Sequence, residues 1–244
     1  MPITPRVFLS AEWRHLVMLN YEVPPALLAS RVPAGTTLDL FQGKTYVSVV
    51  GFLFLKTKLL GIPIPFHRDF EELNLRFYLR REDARGLQRA VGFIKEVVPR
   101  LAIATVARVA YNENYVALPM RHRLEPRPIA AGSRVEYGWK LGGRWNSLGV
   151  RAAGEPALPA DGSLDQFITE HYWGYAAQRD GGTVEYQVEH PRWRVFPVTE
   201  TVFDCDAAAL YGPEFAEILR GKPSSALLAE GSGVIVRQGT RLAP

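Results

Sequence analysis

Cysteine is nearly absent from this chain. Cys205 is the only one in 244 residues. No intrachain disulfide can form, and a reduced, cytoplasmic setting is expected. The five histidines, His15, His67, His122, His171 and His190, are scattered without metal-ligand spacing, so no structural metal is expected. There is no glycine-rich phosphate loop, no G-x-S-x-G elbow and no H-E-x-x-H, and no cofactor is expected. Long hydrophobic runs are missing as well. The longest, Tyr46 to Leu55, is too short to cross a bilayer as a helix, and Met1 to Arg6 has no secretory pattern, so no membrane partner is expected. Basic blocks are lacking too. The formal net charge of +4 is spread along the chain, which argues against nucleic acid as a partner. No linker, repeat or low-complexity tract divides the sequence, and residues 1–244 read as a single domain.

What is present is alternation. Trp13 to Asn20, Leu38 to Phe41, Thr45 to Leu55, Glu71 to Arg81 and Arg89 to Val97 read as strands. So do Tyr115 to Leu124, Ser133 to Lys140, Trp145 to Ala152, Tyr172 to Arg179, Thr183 to His190, Trp193 to Asp204 and Ser225 to Gln238. Gln42-Gly43, Gly142-Gly143 and Asp180-Gly181-Gly182 mark tight turns between neighbours. Helices are few and mostly short. One follows Pro24-Pro25 over Ala26 to Arg31, an alanine-rich one covers Leu101 to Tyr111, and one runs from Pro213 to Arg220 before Gly221. Another opens on the capping box Ser163-Leu164-Asp165-Gln166. The expected class is α+β, mainly antiparallel β, a barrel or strongly curved sheet with a few short helices.

Glu72-Leu73-Asn74-Leu75-Arg76-Phe77-Tyr78-Leu79 is the most informative stretch. Leu73, Leu75, Phe77 and Leu79 form one face, which must pack into a core. Glu72, Asn74, Arg76 and Tyr78 form the other. That face is either the wet side of an antiparallel sheet or, inside a barrel, a site for a small polar molecule. His171 stands at the end of the capped helix, where the helix dipole favours an imidazolium and a structural role. His190, before Pro191-Arg192-Trp193 at a strand break, is the better site candidate. Cys205 lies between Asp204 and Asp206, which would raise its thiol pKa and make it a poor nucleophile.

Several segments, in order along nearly the whole chain, resemble the YqjF-like family, a domain of unknown function (number 2071). They are Glu12-Trp13-Arg14-His15-Leu16, Val23-Pro24-Pro25-Ala26-Leu27-Leu28 with Val32-Pro33, and Phe70-Glu71-Glu72-Leu73-Asn74-Leu75-Arg76. Then come Ser163 to Tyr172 and Val188-Glu189-His190-Pro191-Arg192-Trp193. More distantly the layout is similar to acetoacetate decarboxylase. That resemblance implies a β-barrel or cone with an internal polar pocket, an arginine, a glutamate and an adjacent lysine pair. Arg14 matches the arginine by its distance from Val32-Pro33, and Glu72 matches the glutamate. The lysine pair fails: after the Leu101 to Tyr111 segment the chain reads Asn114-Tyr115-Val116-Ala117-Leu118, so no imine can form there. Lys95 could point inward, but nothing in the sequence requires it.

With a barrel in place, Glu72, Asn74 and Arg76 face its interior, joined by Arg14, Tyr115 and His190. Two functions follow. The first is a binding protein whose internal pocket holds a small carboxylate or a related or apolar metabolite without chemistry, the ligand being anionic in the first case. The second is a lyase or isomerase in which Glu72 is the catalytic acid/base and Arg14 and Arg76 clamp the substrate, without imine formation. The sequence sets neither the ligand nor the oligomeric state.

Overall fold

The structure is a computed structural model that describes residues 5–100, 112 and 114–242. The helix expected over Leu101 to Tyr111 lies outside the described residues. In chain order the strands are β1 (Val7–Val23), β2 (Thr37–Leu38), β3 (Thr45–Leu59), β4 (Ile62–Pro63), β5 (Phe70–Asp83), β6 (Gly86–Val98), β7 (Tyr115–Ala117) and β8 (Met120–Glu125). They continue with β9 (Arg134–Leu141), β10 (Arg144–Ala152), β11 (Trp173–Ala177), β12 (Thr183–Glu189), β13 (Val195–Phe196), β14 (Val198–Asp204), β15 (Ser225–Arg237) and β16 (Thr240–Arg241).

Seven of them close on themselves in the order β15, β1, β3, β5, β6, β11, β12 and back to β15. An odd ring cannot close through antiparallel neighbours alone. The β6–β11 contact is parallel and the remaining ring contacts are antiparallel, which resolves the count. The two contacts flanking the β11–β12 hairpin are short. Trp173↔Ala90 and Gly174↔Val91 join β11 to β6, and Val188↔Val236 and Glu189↔Ile235 join β12 to β15.

A second, antiparallel sheet of four strands, β14-β10-β9-β8, covers one outer face of the ring. Its Tyr137, Trp139 and Leu148 share a core with Val47, Val49, Leu73, Leu75 and Leu79. Each fully buried side chain of this size contributes about 1.5–3 kcal/mol of transfer free energy. A separate cluster fills the ring interior with Leu16, Met18, Val50, Phe52, Phe54, Phe70, Tyr78, Ile168 and Trp193. The alternation of β5 is thus explained on both faces. Its leucines face the outer sheet, and its polar face turns inward rather than to water.

The hairpins and the cap form as expected. Gln42 and Gly43 both take positive φ (50° and 79°) in the turn before β3. Ser163 Oγ accepts the Gln166 N–H at 3.2 Å, and Gln166 Oε1 accepts the N–H of Gly162 at 2.7 Å, one residue further back than a standard box. Three expected strands need correction. Leu38 to Phe41 is a strand only at Thr37–Leu38; beyond it a single bridge, Phe41↔Lys44, spans the turn. Tyr115 to Leu124 is not continuous: β7 pairs with β6 in the ring, Pro119 intervenes, and β8 pairs with β9 in the outer sheet. Trp193 to Asp204 likewise divides at Pro197, with β13 on β15 and β14 on β10. Proline has no N–H for a ladder, and at both places the chain crosses between sheets. A helix at Ala207–Tyr211 was not expected; Asp206 caps it through the N–H of Ala209 at 3.1 Å. Among the described residues no helix is long and apolar enough to cross a membrane.

Candidate functional site

The ring encloses a cavity of about 230 Å³. Phe70, Glu72, Asn74 and Arg76 line it from β5, Val50, Phe52 and Phe54 from β3, and Trp13 and Leu16 from β1. Of the six residues singled out from the sequence, Glu72, Asn74, Arg76, Tyr115 and His190 line this cavity, and Arg14 does not. Trp13 takes the inward position on β1, so Arg14 faces the other way. There its Nε donates to Glu12 Oε2 at 3.0 Å and its Nη1 to the Gly231 carbonyl at 3.2 Å. The walls are mostly aromatic and aliphatic, and among their polar groups Glu72, Asn74 and Arg76 form a stripe along β5.

The stripe is bonded within itself. Glu72 is buried, its Oε1 accepting from Asn74 Nδ2 at 3.1 Å and its Oε2 from the Tyr115 hydroxyl at 3.3 Å. Arg76 is half-buried. Its Nη2 donates to the Ile168 carbonyl at 3.0 Å and to Met18 Sδ at 3.7 Å, and its guanidinium lies 5.6 Å from the Tyr78 ring. His190 stacks on Trp193, with ring centroids 4.0 Å apart, and its Nδ1 donates to its neighbour, the Pro191 carbonyl, at 2.9 Å. Burial and nearby Arg76 hold its pKa down at about 4, so the ring is neutral.

Two lining residues escaped the sequence reading. Glu96 is fully buried and lies across from Asn74. A bulge shifts the β5–β6 register between Leu75 and Arg76, so Phe93 and Glu96, of opposite parity, both point inward. Regular alternation would have put them on opposite faces. The second is His171. The helix dipole suggested an imidazolium there, yet burial pushes its pKa down to about 4, against the pull of Asp39. Its Nε2 meets Asp39 Oδ2 at 3.2 Å, and the same oxygen accepts from Arg89 Nε at 2.7 Å. The carboxylate therefore fixes the Nε2–H tautomer and leaves a lone pair on Nδ1.

Several polar atoms around this cavity are buried with no partner among the described residues: Trp13 Nε1, Thr57 Oγ1, Asn74 Oδ1, Arg76 Nε and His171 Nδ1. Buried polar groups without partners cost about 1–3 kcal/mol each. None of the six lysines, Lys44, Lys56, Lys58, Lys95, Lys140 and Lys222, lines the cavity. Lys95, which could have pointed inward, donates to Asn114 Oδ1 at 3.1 Å instead. Among the described residues no three His, Cys, Asp or Glu side chains converge to hold a metal ion.

The ring with its covering sheet superposes on an acetoacetate decarboxylase-like enzyme from Sphingomonas wittichii RW1. The TM-score is 0.68 at 13% identity, over 96% of this chain and 92% of that one. The enduracididine biosynthesis enzyme MppR, complexed with pyruvate, gives a TM-score of 0.67 at 12% identity over 99% and 92%. At such identities the likeness is one of fold, and the fold is acetoacetate decarboxylase-like. In sequence, the uncharacterized protein YqjF of Bacillus subtilis (strain 168) is 25% identical over 183 residues, 73% of this chain and 72% of YqjF. The DUF2071 family, described as an uncharacterized conserved protein, is matched over residues 10–233, and this chain belongs to it.

Proposed function

We propose that the ring cavity binds a small organic molecule bearing a carboxylate, with Arg76 as its anchor. One observation carries this reading. Arg76 is a half-buried guanidinium in the cavity wall that forms no ion pair among the described residues, and its Nε is buried without a partner. Removing a cation from water without a counter-ion is costly, and a carboxylate supplies the missing charge and two acceptors. Arg14, already paired with Glu12, is not needed as a clamp. A fold neighbour complexed with pyruvate supports the same class of ligand.

A second reading, an acid/base enzyme, is favoured by the burial of Glu72 beside Asn74 and Tyr115. With no amine on the cavity wall, such an enzyme would work without an imine.

The test is a thermal-shift screen of the purified chain against small carboxylates, keto acids and hydroxy acids. A ligand at about a hundred times its dissociation constant stabilises the fold by about 2.7 kcal/mol. The expected hit disappears in Arg76→Ala and persists in Arg14→Ala; absence of any acid hit overturns the carboxylate reading. Turnover of a hit compound, abolished in Glu72→Gln with binding retained, would establish the second reading.

A further inference from the structure

We infer that the ligand is amphipathic: a carboxylate head at Arg76 carrying an extended apolar tail, rather than a small acid of two or three carbons. This rests on the Arg76 reading and extends it. Arg76 and Phe70 both line the cavity and stand six residues apart on β5, about 20 Å measured along the strand. Asn74 and the buried imidazole of His171 line the cavity toward the Arg76 side, while Glu72, two residues from Phe70, is bonded to Asn74 and Tyr115. Facing Phe70 is an aromatic wall carried by β3, β1 and Trp193. Phe54 stacks on Phe70 at 4.7 Å, and Trp13 meets Phe52, Phe54 and Trp193 edge-on at 5.4, 5.6 and 6.4 Å. Two isolated polar atoms, Trp13 Nε1 and Thr57 Oγ1, interrupt that wall.

Beyond it the lining continues through Leu59, Ile64 and His67. The same loop exposes Leu60, Ile62 and Phe66, at 63%, 69% and 86% of their surface. An acid of two or three carbons held at Arg76 would leave the aromatic wall unfilled. A cavity of about 230 Å³ exceeds the roughly 150 Å³ of an apolar cavity that admits benzene. Asn74 Oδ1 and His171 Nδ1, both acceptors without partners among the described residues, suit a donor near the head, such as a hydroxyl.

The experiment is calorimetric titration of the wild-type chain with butanoate, hexanoate and octanoate, and in parallel with 1-butanol, 1-hexanol and 1-octanol. No variant has to fold. If the tail lies on the aromatic wall, each added methylene tightens acid binding about fourfold, the equivalent of about 0.8 kcal/mol per CH₂. Each alkanol then binds more weakly than the acid of its length. Acids that bind with no dependence on length overturn the tail and leave the Arg76 anchor standing. Alkanols that bind as tightly as acids, with the same slope, keep the tail and overturn the anchor. Failure of both series to bind overturns both.

Discussion

His171 and Asp39, 132 residues apart in sequence, meet at 3.2 Å at the cavity wall, with Arg89 bonded to the same carboxylate oxygen. Burial holds the imidazole neutral against the pull of Asp39, and two other histidines share that neutral condition. Burial first, then neighbouring cations, holds His15 and His190 at about 4 as well. The sign of the consequence is fixed. Below about pH 6.5 the unfolded chain takes up these protons, while the folded chain does not until about pH 4, so stability present at pH 7 is lost on acidification through that window. For His171, wholly buried, the loss is about 3 kcal/mol; for the other two it is smaller. Asp39 and Glu71, both held below the usual carboxylate range by hydrogen-bonded partners, extend the loss to lower pH. Urea unfolding from pH 7 to 4.5 should show a falling free energy, and a flat profile would mean that the imidazoles are solvated.

Arg76→Gln should weaken binding of a carboxylate ligand by about ten- to a hundredfold, the worth of a charge-assisted hydrogen bond of 1.5–3 kcal/mol. The fold should lose little, because the guanidinium that leaves the wall has no ion pair among the described residues and a Gln amide can still donate. Arg14→Ala, which breaks a half-exposed pair with Glu12, should cost under about 1 kcal/mol of stability and leave affinity unchanged. Paired titrations and melts of the two variants check this, and equal loss of affinity in both would place the anion elsewhere.

Gly231 sits at φ 77°, and a Cβ there would lie 2.0 Å from the backbone carbonyl of Trp13. Gly43 has nearly the same φ, 79°, with nothing within 4 Å. Gly43→Ala should therefore cost about 1 kcal/mol of backbone strain alone, and Gly231→Ala about 3 kcal/mol or more, strain plus collision. Denaturant unfolding of the two variants separates these contributions.

Cys205 is raised to about 12, chiefly by burial and then by Asp206 and Asp204. At pH 8 the native chain should resist iodoacetamide, and the same chain in denaturing urea should be alkylated readily. Rapid native labelling would show that the thiol is reached by solvent.

What could be read in advance were the local features. The two faces of β5, the turns at Gln42-Gly43 and Gly142-Gly143 and the cap at Ser163 each depend on residues a few positions apart. The direction in which the polar face of β5 points depends on strands brought round from residues 183–237, which no local pattern encodes. Glu96 was hidden by a bulge, since one extra residue reverses the parity on which face assignment rests. His171 was misjudged because the helix dipole is visible in sequence and the burial around it is not. Arg14 was assigned by spacing alone, and the inward place on β1 belongs to its neighbour Trp13.

The short contacts on either side of the β11–β12 hairpin are each braced by charge. Arg85, in the turn after β5, grips Glu185 through Nη1 at 2.8 Å and Nη2 at 3.0 Å, and Arg237 reaches Glu189 through Nε at 2.6 Å. One arc of the wall thus joins its neighbours by two-pair contacts backed by ion pairs, where the rest is laced by long ladders. With so few ladder bonds at its two edges, this arc should be the first part of the wall whose amide protons exchange, while the remaining wall stays shut.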